Sequence, residues 1–387
     1  MPNGKQKSRG GRGRTGVRRL LAELVALPSV HPEAAAGRTV PGEAAMAAWM
    51  ADRLRRLGAA VRLHPLAAGR PSVVAIFEPA ARATATVILM PHLDTVGVDG
   101  MSVPPFQLTR GAGGRLHGRG ACDTKGPTAA LLAALASAAG ARAILRGRTR
   151  WVIAASAGEE QGSLGAEALF AEGLRGDFVV ALEPTRLRVV RAAKGLLRVW
   201  MEVPGKAAHG AQPERGLNAV YRALPLAEAI RDRLAPWLMA HRHPLLGRGS
   251  VNLGVFRGGA EFNLVPDRCR LGLDIRLPPQ LPAARVVSRL RALIAEHCPS
   301  AKLTVHRSAP SFVTPIRNPW AGRLRRVGRG WDAVDWFCDA NIASAHGIPA
   351  VAFGPGDIRQ AHTRDEYILE SELEAGEAAF RSFLCGA

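Results

Sequence analysis

From Val17 onward the chain alternates short apolar, β-branched runs with stretches whose apolar residues recur at helical spacing, and the alternation is interrupted once, near Lys194. Residues 72–77, 85–90, 151–155 and 178–182 have the length and composition of fully buried strands, whereas 17–26 and 43–57 carry a helical apolar stripe. Pro127 suits the first turn of a helix running to 139. Buried strands separated by helices predict an α/β layer with a largely parallel central sheet. After Lys194 and Gly195 the style changes: 196–203 alternates like a half-buried strand, 217–234 reads as a long amphipathic helix, 251–256 and 269–275 as strands, 283–296 as a second helix and 303–306 as a last strand. That β-α-β-β-α-β order is ferredoxin-like. Beyond Pro310 the α/β style resumes, with a helix over 331–346, a strand over 350–353 and a closing helix over 371–384. The expected fold is therefore α/β: a discontinuous larger domain, 17–193 and 310–387, with a mixed, mainly parallel sheet flanked by helices, and a ferredoxin-like α+β domain inserted at 194–309. The Gly/Arg-rich residues 1–16 read as a disordered basic tail.

A chain of 387 residues, 47% of them hydrophobic, can bury cores for both domains. Its apolar runs fall well short of the ~20 residues needed to cross a bilayer. The N-terminal stretch lacks the apolar core and small-residue cleavage site of a secretory signal, so the expectation is a cytoplasmic protein with no membrane partner. The net charge of +20 attracts anions and allows non-specific contact with nucleic acid. Arginine nevertheless falls on solvated helix faces, as at 52–57 and 288–293, and no nucleic-acid-binding motif accompanies it. Cys122, Cys269, Cys298, Cys338 and Cys385 are odd in number and scattered, which predicts free thiols.

Polar residues suited to metal binding follow the buried strands, where open α/β sheets place their sites. His92-Leu93-Asp94 comes directly after 85–90, so that His92 can ligate and Asp94, two residues on, can orient its ring. In isolation H-x-D is more often a turn or cap than a ligand. The loop Gly118-Arg119-Gly120-Ala121-Cys122-Asp123-Thr124-Lys125-Gly126 presents Asp123 from a glycine-constrained turn, and its spacing matches neither phosphate-binding glycine motif. Gly158-Glu159-Glu160-Gln161 follows 151–155; adjacent carboxylates at such a junction point apart, so Glu160 can hold a metal while Glu159 serves as general base, although alone they would be ordinary surface charges. Glu183 ends the strand at 178–182, and His362 follows the strand at 350–353. As a set they fit two ions, each with about three protein ligands: His92, Asp123 and Glu183 for one, Asp123, Glu160 and His362 for the other.

With HLDTV, GRGACDTKG, AGEEQG, EPT and AHT in this order, the sequence resembles the M20 family of co-catalytic zinc amidohydrolases from about Val17 to the C-terminus. The resemblance implies that His92, Asp123, Glu160, Glu183 and His362 bind two Zn2+, with Co2+ able to substitute, that Asp94 orients His92, that Glu159 is the base, and that the Asp123–Thr124 peptide is cis. It implies that the inserted domain is a lid through which the protein forms a homodimer, and that His209 within KAAHGAQP stabilises the oxyanion at the partner's active site. Asn263 and Arg276 resemble the family's clamp for a substrate α-carboxylate, a task that suits a guanidinium.

The stretch from Phe353 to Tyr367 is similar to the end of acetylornithine deacetylases, which implies a place in arginine biosynthesis. The expected activity is removal of an acyl group from a small N-acyl amino acid of the N-acetylornithine or N-acetylcitrulline type, by a water bridging the two metals and deprotonated by Glu159. A desuccinylase, a carboxypeptidase or dipeptidase, and a non-catalytic basic nucleic-acid-binding protein are the alternatives.

Overall fold

The computed structural model describes residues 14–32, 42–66 and 69–386. Of the tail expected over 1–16, residues 1–13 lie outside the described residues; Arg14, Thr15 and Gly16 are instead the first turn of the helix Arg14–Val25. The chain divides into two compact units, one made of residues up to Arg191 with Thr314–Asp332 and Cys338 onward, the other of Ala192–Val313 with Ala333–Phe337.

In the first unit, strands β1 (Ala60–Leu66), β2 (Arg70–Phe77), β3 (Ala85–Met90), β4 (Thr149–Ala155), β5 (Phe178–Ala181), β6 (Val189–Ala193) and β7 (Ala350–Ala352) form one mixed sheet in the order β1-β2-β4-β3-β5-β7-β6. Its centre is parallel, β3 lying between β4 and β5 with β7 beyond β5, and its flanks are antiparallel. The central strands are covered on both faces, and β5 has no exposed residue. Helix Glu43–Arg56 shows why such a segment docks on the sheet: Met46, Ala47, Met50, Ala51 and Leu54 recur every three to four residues and are buried, while Arg53, Arg55 and Arg56 close its last turn in accord with the helix dipole.

The Ala/Leu-rich helix Lys125–Ala136 is buried nearly all round. Among the described residues no single helix is long and apolar enough to cross a membrane. Trp151 anchors the core, meeting Trp320 and Phe383 edge-on at centroid distances of 6.2 and 5.5 Å.

The second unit is a four-stranded antiparallel sheet in the order Ser250–Gly258, Arg268–Leu277, Gly195–Pro204, Lys302–Ala309, with helices Ala219–Ala229 and Ala283–His297. In sequence order this places strand 1 beside strands 3 and 4 and strand 2 at an edge, the ferredoxin-like arrangement. Alternating Leu197, Val199, Met201 and Val203 form its core with Leu226, Leu271 and Leu290.

Two expected elements differ. The helix expected over 331–346 is a strand, Trp331–Val334, followed by a shorter helix, Asp339–Ala345, because the Asn341 side chain accepts from the Cys338 N–H and caps the chain there. The helix expected from Pro127 to 139 runs instead from Lys125 to Ala136, with Pro127 in its first turn, because Ser137 caps a second helix, Ala138–Arg146.

Candidate metal centre

Parallel strands end at one edge of a sheet, so β3, β4, β5 and β7 deliver their following loops to the same place. Those loops carry His92, Glu159 with Glu160, Glu183, and His362. Asp123 arrives from the turn that opens helix Lys125–Ala136, and its peptide bond to Thr124 is cis. Gly126 is required there by close approach: a Cβ would stand 2.4 Å from the Ala121 carbonyl oxygen. His362 holds φ 63°, a left-handed conformation that few non-glycine residues adopt and that is found disproportionately at functional sites.

Four of the expected ligands meet. His92 Nε2 lies 3.0 Å from Asp123 Oδ1, and His362 Nε2 lies 3.0 Å from Glu160 Oε1 and 3.4 Å from Asp123 Oδ2. The donor atoms of His92, Asp123 and Glu160 all fall within 4.8 Å of one another. Asp123 thus stands between the two imidazoles. Glu183 is buried beside this group, close enough for its charge to act on it and to feel those of Asp123, His92 and Glu160. Glu159 is half-buried and within electrostatic reach of His92 and Glu183.

Asp94 does more than orient a ring. His92 Nδ1 is 3.0 Å from the Asp94 carbonyl oxygen and 3.5 Å from its carboxylate. The carboxylate accepts the N–H groups of Glu159 and Glu160, each at 3.0 Å, and so ties the first loop to the third.

The electrostatics of the group call for a cation. Burial pushes the carboxyls of Glu159 and Glu183 well above the usual range, with neighbouring carboxylates adding to the shift; burial, then the charge of Asp123, raises Glu160. Asp123 is depressed in spite of its burial, through hydrogen bonds with His362 and His92. His92 is buried, which opposes its charge, yet its bonds to Asp123 and Asp94 carry it well up. His362 is pushed up to about 10 by its bonds with Asp123 and Glu160. Several carboxylates stand around two imidazoles, His92 buried and His362 exposed at the rim, and this N/O donor set fits a divalent metal.

His209, Asn263 and Arg276 all belong to the second unit. His209 is exposed on a loop bridged to Leu264, and the Gly210 N–H donates to the Asn263 carbonyl at 2.8 Å, so these two expected residues share one paired turn. Arg276 lies on the strand Arg268–Leu277 with its guanidinium on Asp274, at 2.7 and 3.3 Å.

Three buried acids escaped the sequence reading. Glu366 binds the Asp123 loop, Asp339 accepts from Ser156 Oγ, and Glu43 pairs with Arg70 while accepting the Gly158 N–H at 2.6 Å. The one available signal was the position of Glu366, four residues beyond His362.

With residues 88–385 matching Peptidase family M20/M25/M40, the chain belongs to that family, and the match together with its curated relatives makes it a metal-dependent amidohydrolase. Among curated relatives, it is 32% identical over 328 residues to the acetylornithine deacetylase of Myxococcus xanthus, covering 79% of this chain and 81% of that one. It is 28% identical over 372 residues to the acetylornithine deacetylase of Proteus mirabilis (strain HI4320), covering 92% of each. Among solved structures, an M20 family metallo-carboxypeptidase from Sulfolobus solfataricus has a TM-score of 0.82 at 19% identity, covering 95% of this chain and 98% of that one. A dinuclear metal-binding M20 peptidase from Bacillus subtilis has a TM-score of 0.66 at 13% identity, over 96% and 98% of the two chains.

Proposed function

We propose that the protein is a two-zinc deacylase of small N-acyl amino acids, of the N-acetylornithine or N-acetylcitrulline type, acting in arginine biosynthesis. The observation that carries this reading is the meeting of His92, Asp123, Glu160 and His362 at 3.0 to 3.4 Å with Glu159 half-buried and within electrostatic reach of His92. The names of the curated relatives support the substrate class. His92, Asp123 and Glu183 would hold one metal, and Asp123, Glu160 and His362 the other, with Asp123 shared. When bound, the metals supply Lewis acidity and lower the pKa of water.

The remaining chemistry belongs to the chain. Glu159 is a non-ligand carboxyl whose raised pKa suits it to take a proton from the attacking water and return it to the leaving amine. Asp94 holds the backbone of Glu159 and Glu160 so that base and ligand keep their spacing. His209 would steady the oxyanion, and Asn263 with Arg276 would take the substrate α-carboxylate, Arg276 exchanging part of its pairing with Asp274. The exposed apolar side chains of Leu217, Tyr221 and Leu224 on the second unit support a homodimer formed there.

The deciding experiment is Glu159→Gln assayed on N-acetylornithine, N-acetylcitrulline and N-succinyl-diaminopimelate, with metal content measured in parallel. Turnover should fall at least ~100-fold, the lower end of general acid–base contributions, while bound zinc persists. Activity within tenfold of the parent would exclude Glu159 as base, and preference for the succinyl substrate would reassign the acyl group.

A further inference from the structure

Glu366 is 1% exposed and precedes the short strand Tyr367–Leu369. Its Oε1 accepts the N–H groups of Cys122 and Asp123, both at 2.9 Å. Its Oε2 accepts the Gly120 N–H at 2.9 Å and Arg119 Nη1 at 2.8 Å. One carboxylate therefore gathers three backbone donors and a guanidinium from five consecutive residues, the last of which is Asp123. Arg119, also buried, donates onward to the carbonyls of Gly97 at 2.9 Å and Thr363 at 3.3 Å, the latter next to His362.

We propose that Glu366 is a positioning residue for the metal centre, which fixes the backbone of the Asp123 loop against the loop that carries His362. A purely structural ion pair would need only Arg119, and such buried pairs are often replaceable by apolar groups. The backbone contacts have a different character. Convergent N–H groups form an anion-binding concavity, and here one of them belongs to the very residue whose side chain faces both imidazoles. Asp123 cannot rotate its main chain away from His92 and His362 without breaking that bond. Because Glu366 sits in the His362 segment, one side chain sets the separation of two ligands that lie more than two hundred positions apart in the chain.

This rests on the reading that Asp123 and His362 are ligands. The test uses the full-length, metal-stripped protein titrated with Zn2+ by calorimetry and with Co2+ by absorption. Partners that orient ligands typically change metal affinity about 10- to 100-fold when altered. Glu366→Gln places an amide NH2 against backbone N–H groups and should weaken metal binding by that factor and alter the Co2+ spectrum. At saturating metal the KM for substrate should stay within threefold of the parent.

Arg119→Met keeps the three backbone bonds, and should lower thermal stability yet leave metal affinity within threefold. Should Glu366→Gln fail to fold, Glu366→Asp, one methylene too short to reach all the donors, should show an intermediate loss of affinity. Metal binding by the folded Glu366 variant within threefold of the parent overturns the assignment, as does an equal loss of affinity in Arg119→Met. Asp123→Ala serves as control: if it keeps full metal affinity, the centre itself is misassigned and the role of Glu366 falls with it.

Discussion

Asp94 offers the sharpest test of how the centre is built. Asp94→Asn keeps the volume and replaces one of two equivalent oxygens by NH2. Oδ1 faces the Glu159 N–H at 3.0 Å and His92 Nδ1 at 3.5 Å, and Oδ2 faces the Glu160 N–H at 3.0 Å. Whichever way the amide turns, a donor meets a donor. One charge-assisted bond is lost, about 1.5–3 kcal/mol, and the backbone N–H of Glu159, the proposed base, or of Glu160, the proposed ligand, is left without its acceptor. If that cost falls on the geometry of reaction, kcat/KM drops by about 10- to 150-fold. The assay is steady-state hydrolysis of N-acetylornithine by zinc-saturated enzyme, with metal affinity and urea denaturation measured on the same preparation. If Glu159 is the base as proposed, kcat should fall with KM little changed, since the loss would concern its alignment rather than substrate contacts. A variant within threefold of the parent in both kcat/KM and metal affinity would refute the idea that this carboxylate sets the Glu159–Glu160 loop.

Two further outcomes follow from paired charges. In the metal-free protein His362 is raised from 6.5 to about 10, so its stabilisation is complete below about pH 6.5 and is lost as pH rises towards 10; metal ligation requires the neutral ring and removes that dependence. The melting temperature of the metal-free form should therefore fall between pH 7 and 10 more steeply than that of the zinc form, and parallel slopes would contradict the assignment. Arg70→Leu strands the fully buried Glu43 without its cation and should cost roughly 3–5 kcal/mol in urea denaturation; a cost under ~1 kcal/mol would mean that the Gly158 N–H alone satisfies Glu43.

The parts of the site that the sequence exposes are those tied to strand ends. His92, Glu160 and Glu183 each follow a recognisable apolar run, and glycines on both sides mark the Asp123 loop, so their convergence could be anticipated. Glu43, Asp339 and Glu366 could not, because an acid destined for burial looks in sequence like any solvated one. Glu43 in particular occupies a first helical turn, where an acid is expected merely to meet the dipole, yet it is fully buried against Arg70. The edge strand Ala60–Leu66 also went unread, since it carries Pro65 and lacks a buried residue, leaving neither an apolar run nor a clean alternation. In the segment 331–346 tertiary pairing overrides a weak helical pattern: Trp331–Val334 extends alongside Val189–Ala193 before the helix begins.

The insertion enters and leaves at neighbouring points. Ala192 and Ala193 pair with Val313 and Phe312, and the Thr314 N–H donates to the Arg191 carbonyl at 2.7 Å. A block of more than a hundred residues is thus spliced in as if it were one long hairpin loop, with its ends already joined. Such a cassette can be lengthened or traded without re-threading the host sheet, whose own strand-end loops carry His92, Glu160, Glu183 and His362.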